Sequence, residues 1–406
     1  MAEQDSDLSA MLERIGATKV NRRGFLAAAG FSSFAAFLAA CSGGGGSAAP
    51  SVAAPASTTP STAPSVAASV APTVAPSYAV ESELLMYNWS NYISEDNIKA
   101  FKTEYGVKKF QYDIYDNNDV LMAKLQGGAT GYDIAAPTNN YIPAMVEGGF
   151  LQKLDMSRIP NMQLMNATFR KGWWDPNEEY AVPKDYGTTG VLYRSGMIPS
   201  VPKTWREFYE MVKGPASGKV IFVDSRDDVF IFPLKMLGYS LNSVEKTELD
   251  AARTVLLDVA PHLFGLDSNT YGQTMADGQA SMTLGWTGPL GQEMKDTKDK
   301  GYVVPEEGTA FWLDTWVMLA DAPHPNISYA WLDFIQRPKV QGEETNYNLY
   351  ATPNDAAKPY VKPEILADPA IFPPADVISK LEAQKDTSAS TQRNDIWEEF
   401  KSKVGG

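Results

Sequence analysis

The chain is predicted to be an α/β protein of two lobes, and three observations carry that expectation. From about residue 84 to 137, apolar spacings of two alternate with spacings of three to four, the pattern of strands and helices in βαβ order. The same rhythm begins again near Thr204. The part of the chain able to fold, about Glu81 to Gly406, is roughly 325 residues long, which exceeds the size that one hydrophobic core usually serves.

Leu84 to Tyr87 reads as a short strand. Ser94 then caps a helix whose apolar Ile98, Phe101 and Tyr105 share one face, and Gly106 ends it. Phe110 to Tyr115 alternates as a second strand, Asn118 to Leu125 repeats the helix, and Gly127-Gly128 stops it. Tyr132 to Pro137 is a third strand, and strands so connected run parallel through right-handed crossovers. In the second rhythm Thr204 and Glu207 form a capping box ahead of Phe208 and Val212, and Lys219 to Val223 is a strand. Gly190 to Tyr193 and Phe311 to Leu319 are strand-like and lie between the two rhythms, as crossovers joining two lobes would. From Pro374 onward the chain reads as two helical pieces, the second carrying Trp397, Phe400 and Val404 on one face. No solenoid repeat is present.

The region before residue 81 is not a folding domain. Arg22, Arg23 and Gly24 precede an apolar run, Phe25 to Ala40, that is shorter and richer in Ala and Ser than the roughly 20 strongly apolar residues of a membrane span. It suits a cleavable export signal over residues 1–40. The arginine pair resembles a twin-arginine motif, with Asn21 where that motif usually has Ser or Thr, and the acidic Glu3, Asp5, Asp7 and Glu13 are unusual for the start of an export signal, so the twin-arginine and general secretory routes both stay open. Leu38-Ala39-Ala40-Cys41 resembles a bacterial lipobox, and Cys41 is the single cysteine of the 406 residues. The alternative is a short membrane anchor with an incidental thiol. Residues 41–80, nearly all Gly, Ser, Ala, Pro, Thr and Val, cannot bury enough surface to fold and read as a lipid-anchored, disordered tether. Exported without disulfides, the domain must rely on ordinary packing, for which 44% hydrophobic residues with nine Trp and 17 Phe suffice.

Two histidines, both beside prolines, make metal or triad chemistry improbable, and no cofactor or metal is expected. A net charge of −14 argues against nucleic acid and anionic membrane as partners and favours cations. Open α/β sheets bind ligands beyond the carboxyl ends of their strands. There this chain places Asn88-Trp89-Ser90-Asn91-Tyr92, Pro137 to Tyr141, Asp224 to Asp228 and Gly285 to Gly288, with Phe311-Trp312-Leu313-Asp314 on a crossover. Aromatic faces stabilise an ammonium by roughly 0.5–2 kcal/mol, and carboxylates accept its hydrogens. That combination suits a cleft for an organic cation with an apolar middle. Each residue also has a plainer reading: Trp89 and Trp286 as core, Asp227 and Asp228 as a solvated turn or helix cap, and Asp314 as half of a structural ion pair with a Lys or Arg.

Taken in order, Tyr87 to Tyr92, Tyr132-Asp-Ile, Asp224 to Phe230, Lys235 to Tyr239, Gly285-Trp286, Phe311 to Asp314, Arg337-Pro338 and Tyr350 to Asn354 resemble the spermidine/putrescine-binding protein family, the substrate-binding lipoproteins of polyamine ABC importers. The likeness spans about residues 84 to 403. It implies a periplasmic-binding-protein-like fold of type II, with lobes of residues 81–186 plus 313–358 and 187–312 plus 359–406, hinged near Gly187, Phe311 and Pro359. It implies aromatic walls from Trp89, Tyr92, Trp286 and Trp312, hydroxyl partners Ser90 and Thr138, ammonium anchors Asp228 and Asp314, and closure by Tyr350 and Gln384. It also implies a monomeric receptor outside the cytoplasm, periplasmic or anchored on the outer face of the cytoplasmic membrane, that hands its ligand to the permease subunits. This chain departs from the pattern at Ser225, where an Asp is expected, at Asp228, where a Glu is expected, at Asn140, where an aromatic is expected, and at Lys184-Asp185, where apolar residues are expected. A receptor for a sugar or another organic cation is the nearest alternative. A glycosidase using paired carboxylates is a more remote one.

Overall fold

The computed structural model describes residues 78–405 apart from 129 and 130; Arg22, Arg23, Cys41 and all but the end of the tether lie outside the described residues. Among the described residues eleven strands form two sheets: β1 (Glu83–Asn88), β2 (Lys109–Ile114), β3 (Ile134–Ala135), β4 (Ala181–Thr188), β5 (Gly190–Tyr193), β6 (Val220–Phe222), β7 (Gly265–Leu266), β8 (Met282–Gly285), β9 (Gly301–Val303), β10 (Thr309–Met318) and β11 (Leu381–Ala383). The first sheet is six-stranded, ordered β11-β10-β3-β1-β2 with β4 also on β10, and the second is five-stranded, ordered β7-β6-β8-β5-β9. Each carries a lobe.

Parallel pairing holds where the βαβ rhythm predicts it, in β2-β1-β3 and β7-β6-β8. The strands linking the lobes run antiparallel to these, β10 against β3 and β4, and β5 against β8 and β9. The chain leaves the first sheet between Thr188 and Gly190 and returns between Val303 and Thr309. Pairing departs from the expected boundaries further on. Residues beyond 359 do not all join the second lobe: β11 pairs with the start of β10, and Val361, Ile365 and Ile371 pack with Ala351. Only the final helix, Thr391–Lys401, enters the second lobe's core, through Ile396, Trp397 and Phe400. The expected helical stretch after Pro374 is therefore interrupted by a three-residue strand, too short for a period-2 signal to register.

Both faces of each sheet are covered, as parallel strands require. In the first lobe Leu84, Met86 and Trp316 pack under Trp331, while Tyr87, Leu313 and Val317 face the opposite layer. In the second, Phe208, Phe222, Phe232 and Phe400 form a fully buried aromatic cluster. Thr204 caps the helix Trp205–Lys213 by accepting from Glu207 N at 3.0 Å, and Glu207 answers at Lys203 N rather than at Thr204. Ser94 precedes the helix Glu95–Tyr105 without a side-chain cap; the buried Glu344 carboxylate takes Ser94 N at 3.1 Å and Asn97 Nδ2 at 2.6 Å instead.

Candidate functional site

The strand ends of both lobes converge on a cleft of about 800 Å³, counting its open mouth. Every residue singled out for a ligand role lines it: Trp89, Ser90, Tyr92, Thr138, Asn140 and Asp314 with Trp312 and Tyr350 from the first lobe's side, and Ser225, Asp228 and Trp286 with Gln384 from the other. Tyr92, Trp312 and Tyr350 are buried together, their rings meeting edge to face, with Trp89 and Trp286 packed on them and 5.8 Å apart. Trp89 is held by a 2.8 Å bond from Nε1 to Ala136 O, at the end of the third strand. Trp312 lies flat on β4 because residue 187 is glycine; a Cβ there would come within 2.5 Å of the indole.

Asp228 sits in the first turn of the helix Arg226–Met236, where the helix dipole favours an anion. It is buried, so the solvated-turn reading does not hold. Its carboxylate accepts from Ser225 Oγ and Thr189 Oγ1 at 2.5 Å, Trp286 Nε1 at 3.3 Å and Gln384 Nε2 at 3.4 Å. Burial pushes its carboxyl above the usual range, against these hydrogen bonds. Asp314, on β10, receives Thr138 Oγ1 at 2.7 Å and lies 2.6 Å from Tyr92 Oη. Burial and the nearby Asp185 charge push it up to about 7. Among the described residues neither Asp228 nor Asp314 makes an ion pair; the buried Lys184 instead pairs with Asp185 at 2.5 Å. Asn140 is 1% exposed, and neither its amide nitrogen nor its oxygen has a partner; Trp312 Nε1 is likewise unpartnered.

A sequence model for bacterial extracellular solute-binding proteins matches residues 97–373. The chain belongs to that family. A putrescine-binding periplasmic protein of Pseudomonas aeruginosa is 31% identical over 332 residues, covering 78% of this chain and 90% of the relative. One from Escherichia coli is 30% identical over 343 residues, covering 80% and 92%. A solved structure from Listeria monocytogenes, described as a putative spermidine/putrescine ABC transporter, superposes with a TM-score of 0.74 at 28% identity, covering 79% of this chain and 99% of that one. The two-lobed α/β fold expected from the sequence is that of these solute-binding proteins.

The solute-binding protein's cleft also contains residues that sequence reasoning passed over. Asn117, Asn118 and Asp119 follow β2, and Ser268 and Asn269 follow β7. The strand-end rule reaches them once it is applied to those two strands as well. Several join the lobes across the cleft: Asn117 Nδ2 donates to Asp224 O at 2.8 Å, Asn269 Nδ2 to Asp116 Oδ1, and Gln292 Nε2 to Asn91 O at 3.3 Å. Asp119 and Asp227 line the cleft but have a partner in Arg226, 3.5 and 3.1 Å away, and the buried Arg393 lies within the field of Asp227. Tyr141 bridges the two acids, at 2.9 Å from Asp119 and 3.2 Å from Asp227.

Proposed function

We propose that this solute-binding protein is a receptor for a linear polyamine, with a diamine such as putrescine as its preferred ligand, and that it delivers the ligand to an ABC importer. Asp228 and Asp314, two buried carboxyl groups without an ion-pair partner among the described residues, line one cleft together with a cluster of aromatic rings, and this observation carries the reading. Ionising a buried carboxyl without a counter-ion costs several kcal/mol, and ligand ammonium groups would supply the counter-ions. Trp89, Trp286, Trp312 and Tyr350 supply faces for the methylene chain and for cation–π contact. Asn140 would turn its unpartnered amide to the ligand, with Ser90, Thr138, Ser225 and Gln384 as further neutral partners. The relatives named for putrescine support this choice.

Charge counting favours two ammonium groups over three. Arg226 and Arg393 offset Asp119 and Asp227, and Lys184 offsets Asp185, so the cleft keeps two free acids. With Ser225 neutral, a third ammonium would rest on neutral oxygens alone, which is costly. The receptor would work outside the cytoplasm as a monomer, tied to the membrane through an acylated Cys41 and the 41–80 tether. A thermal-shift panel of putrescine, cadaverine, spermidine and sugars tests the assignment. At a hundredfold excess over Kd, a bound amine adds about 2.7 kcal/mol of stability. Stabilisation by a sugar and by no amine would overturn it.

A further inference from the structure

We propose that Lys184 is a positioning residue for the cleft's ammonium anchor: by holding Asp185 ionised it draws the single Tyr92 hydroxyl hydrogen to Asp185, so that the ligand-free protein keeps a proton on Asp314 which an arriving ammonium group displaces. The inference rests on the polyamine reading for its ligand, but its core concerns the protein alone.

Strand register creates the arrangement. Along β4 and β10, Asp185 stands opposite Asp314, and like charges directly opposite one another are unfavourable. The register then slips, so that Thr315 pairs with Pro183 and Lys184 is left over as the extra residue of a bulge. Bulges re-aim side chains beside functional sites. Here the Lys184 side chain is 4% exposed, with its ammonium 2.5 Å from Asp185 Oδ2 and 3.2 Å from the centre of the Tyr92 ring. Asn348 Nδ2 donates to the same Asp185 oxygen at 2.8 Å.

Proton counting then decides which acid holds the hydrogen. Tyr92 Oη lies 2.5 Å from Asp185 Oδ1 and 2.6 Å from Asp314 Oδ2, yet carries one hydrogen. Both contacts are hydrogen bonds only when one carboxyl is protonated and donates to the phenol oxygen. Asp185 has the ammonium and the amide, so it is the ionised partner. Asp314 has only the Thr138 hydroxyl besides, so it is the acid. The other ionisable groups around this cluster are Glu344 on the helix Pro338–Asn348, Tyr350, and Tyr115 at the end of β2. Burial first and the Asp185 charge second push Asp314 up to about 7, against the smaller opposing pull of its hydroxyl partners and of Lys184, in agreement with this placement. When a ligand –NH3⁺ docks, the Asp314 O–H bond breaks, the proton passes to bulk water, and the carboxylate accepts the ammonium hydrogens. Without the Lys184 charge, Asp185 becomes the better proton holder, Tyr92 donates to an ionised Asp314, and ligand capture displaces no proton from Asp314.

Two measurements test this. Residue-resolved ¹³C carboxyl titration of the ligand-free protein should show Asp314 protonating near neutral pH in the wild type, while Lys184→Met moves that titration to Asp185. Asp314 fully ionised down to pH 5 in the wild type would overturn the proposal. Calorimetric titration of putrescine at pH 6.5, in buffers of different ionisation enthalpy, should show net proton release on binding. Release should fall by about half a proton or more in Lys184→Met, the remainder coming from Asp228, whose carboxyl burial also raises, and should be restored in Lys184→Arg and unchanged in Glu344→Gln. Equal release in wild type and Lys184→Met would also overturn the proposal. If putrescine gives no heat while the carboxyl titrations behave as stated, the polyamine reading fails and the role of Lys184 stands.

Discussion

Asp314 concentrates the chemistry of the cleft in one side chain. It is buried, in hydrogen-bond contact with two hydroxyl groups, and makes no ion pair among the described residues. Asp314→Asn keeps the shape and removes the charge, so it should weaken polyamine binding by about 2–5 kcal/mol in a titration and leave the fold intact. Unfolding with unchanged residual affinity would instead make Asp314 a structural residue. Its acidity also has a consequence for stability. Asp314 and Glu344 are both pushed up to about 7 by burial, above the ordinary carboxyl range near 4. A raised acid favours the folded state while it is protonated, so the stability it contributes is fully present below about pH 4. That contribution is lost as pH rises towards 7, by at most about 1.4 kcal/mol per pH unit for each group. Ligand-free protein should therefore lose stability between pH 4 and 7 in denaturant titrations, and an Asp314→Asn/Glu344→Gln double variant should show a flatter profile.

At the scale of elements, the strand ends made the site legible. Trp89 to Tyr92, Thr138, Asp228 and Trp286 each follow or flank a strand whose pattern is readable from local spacing, so a rule about carboxyl ends could find them. The parts that escaped depend on contacts distant in sequence. The bulge that re-aims Lys184 is a property of β4 paired with β10, and the two-residue β7 has no periodicity to detect. The return of 359–383 to the first lobe is decided by pairing of β11 with β10, which local sequence does not encode. Gly187 is a further case, required by an indole more than a hundred residues away. Gly187→Ala would drive a methyl group into Trp312, so amine affinity should fall by tenfold or more, since a clash in a packed wall costs about 1–3 kcal/mol. Unchanged binding by calorimetry would mean that Trp312 does not shape the site.

For the whole molecule, the two lobes meet at the cleft through Asn117–Asp224, Asn269–Asp116 and the Trp89–Trp286 contact, as lobes closing on a ligand about a hinge would. The proposed anchor belongs to the same scale. Cys41→Ser should move the receptor into the soluble fraction or leave it uncleaved, because acyl chains supply the membrane affinity and one chain alone binds marginally; a correctly cleaved, membrane-bound Cys41→Ser protein would exclude lipidation as the anchor. An aromatic-lined cleft with two free acids should select a linear diamine. Calorimetric titration of putrescine and spermidine on one preparation of the domain tests it most directly. One ligand per chain is expected for each amine, with putrescine the tighter or the two within about tenfold. Spermidine tighter by more than about tenfold, roughly 1.4 kcal/mol, would contradict the charge counting, and no binding of either amine would contradict the receptor assignment itself.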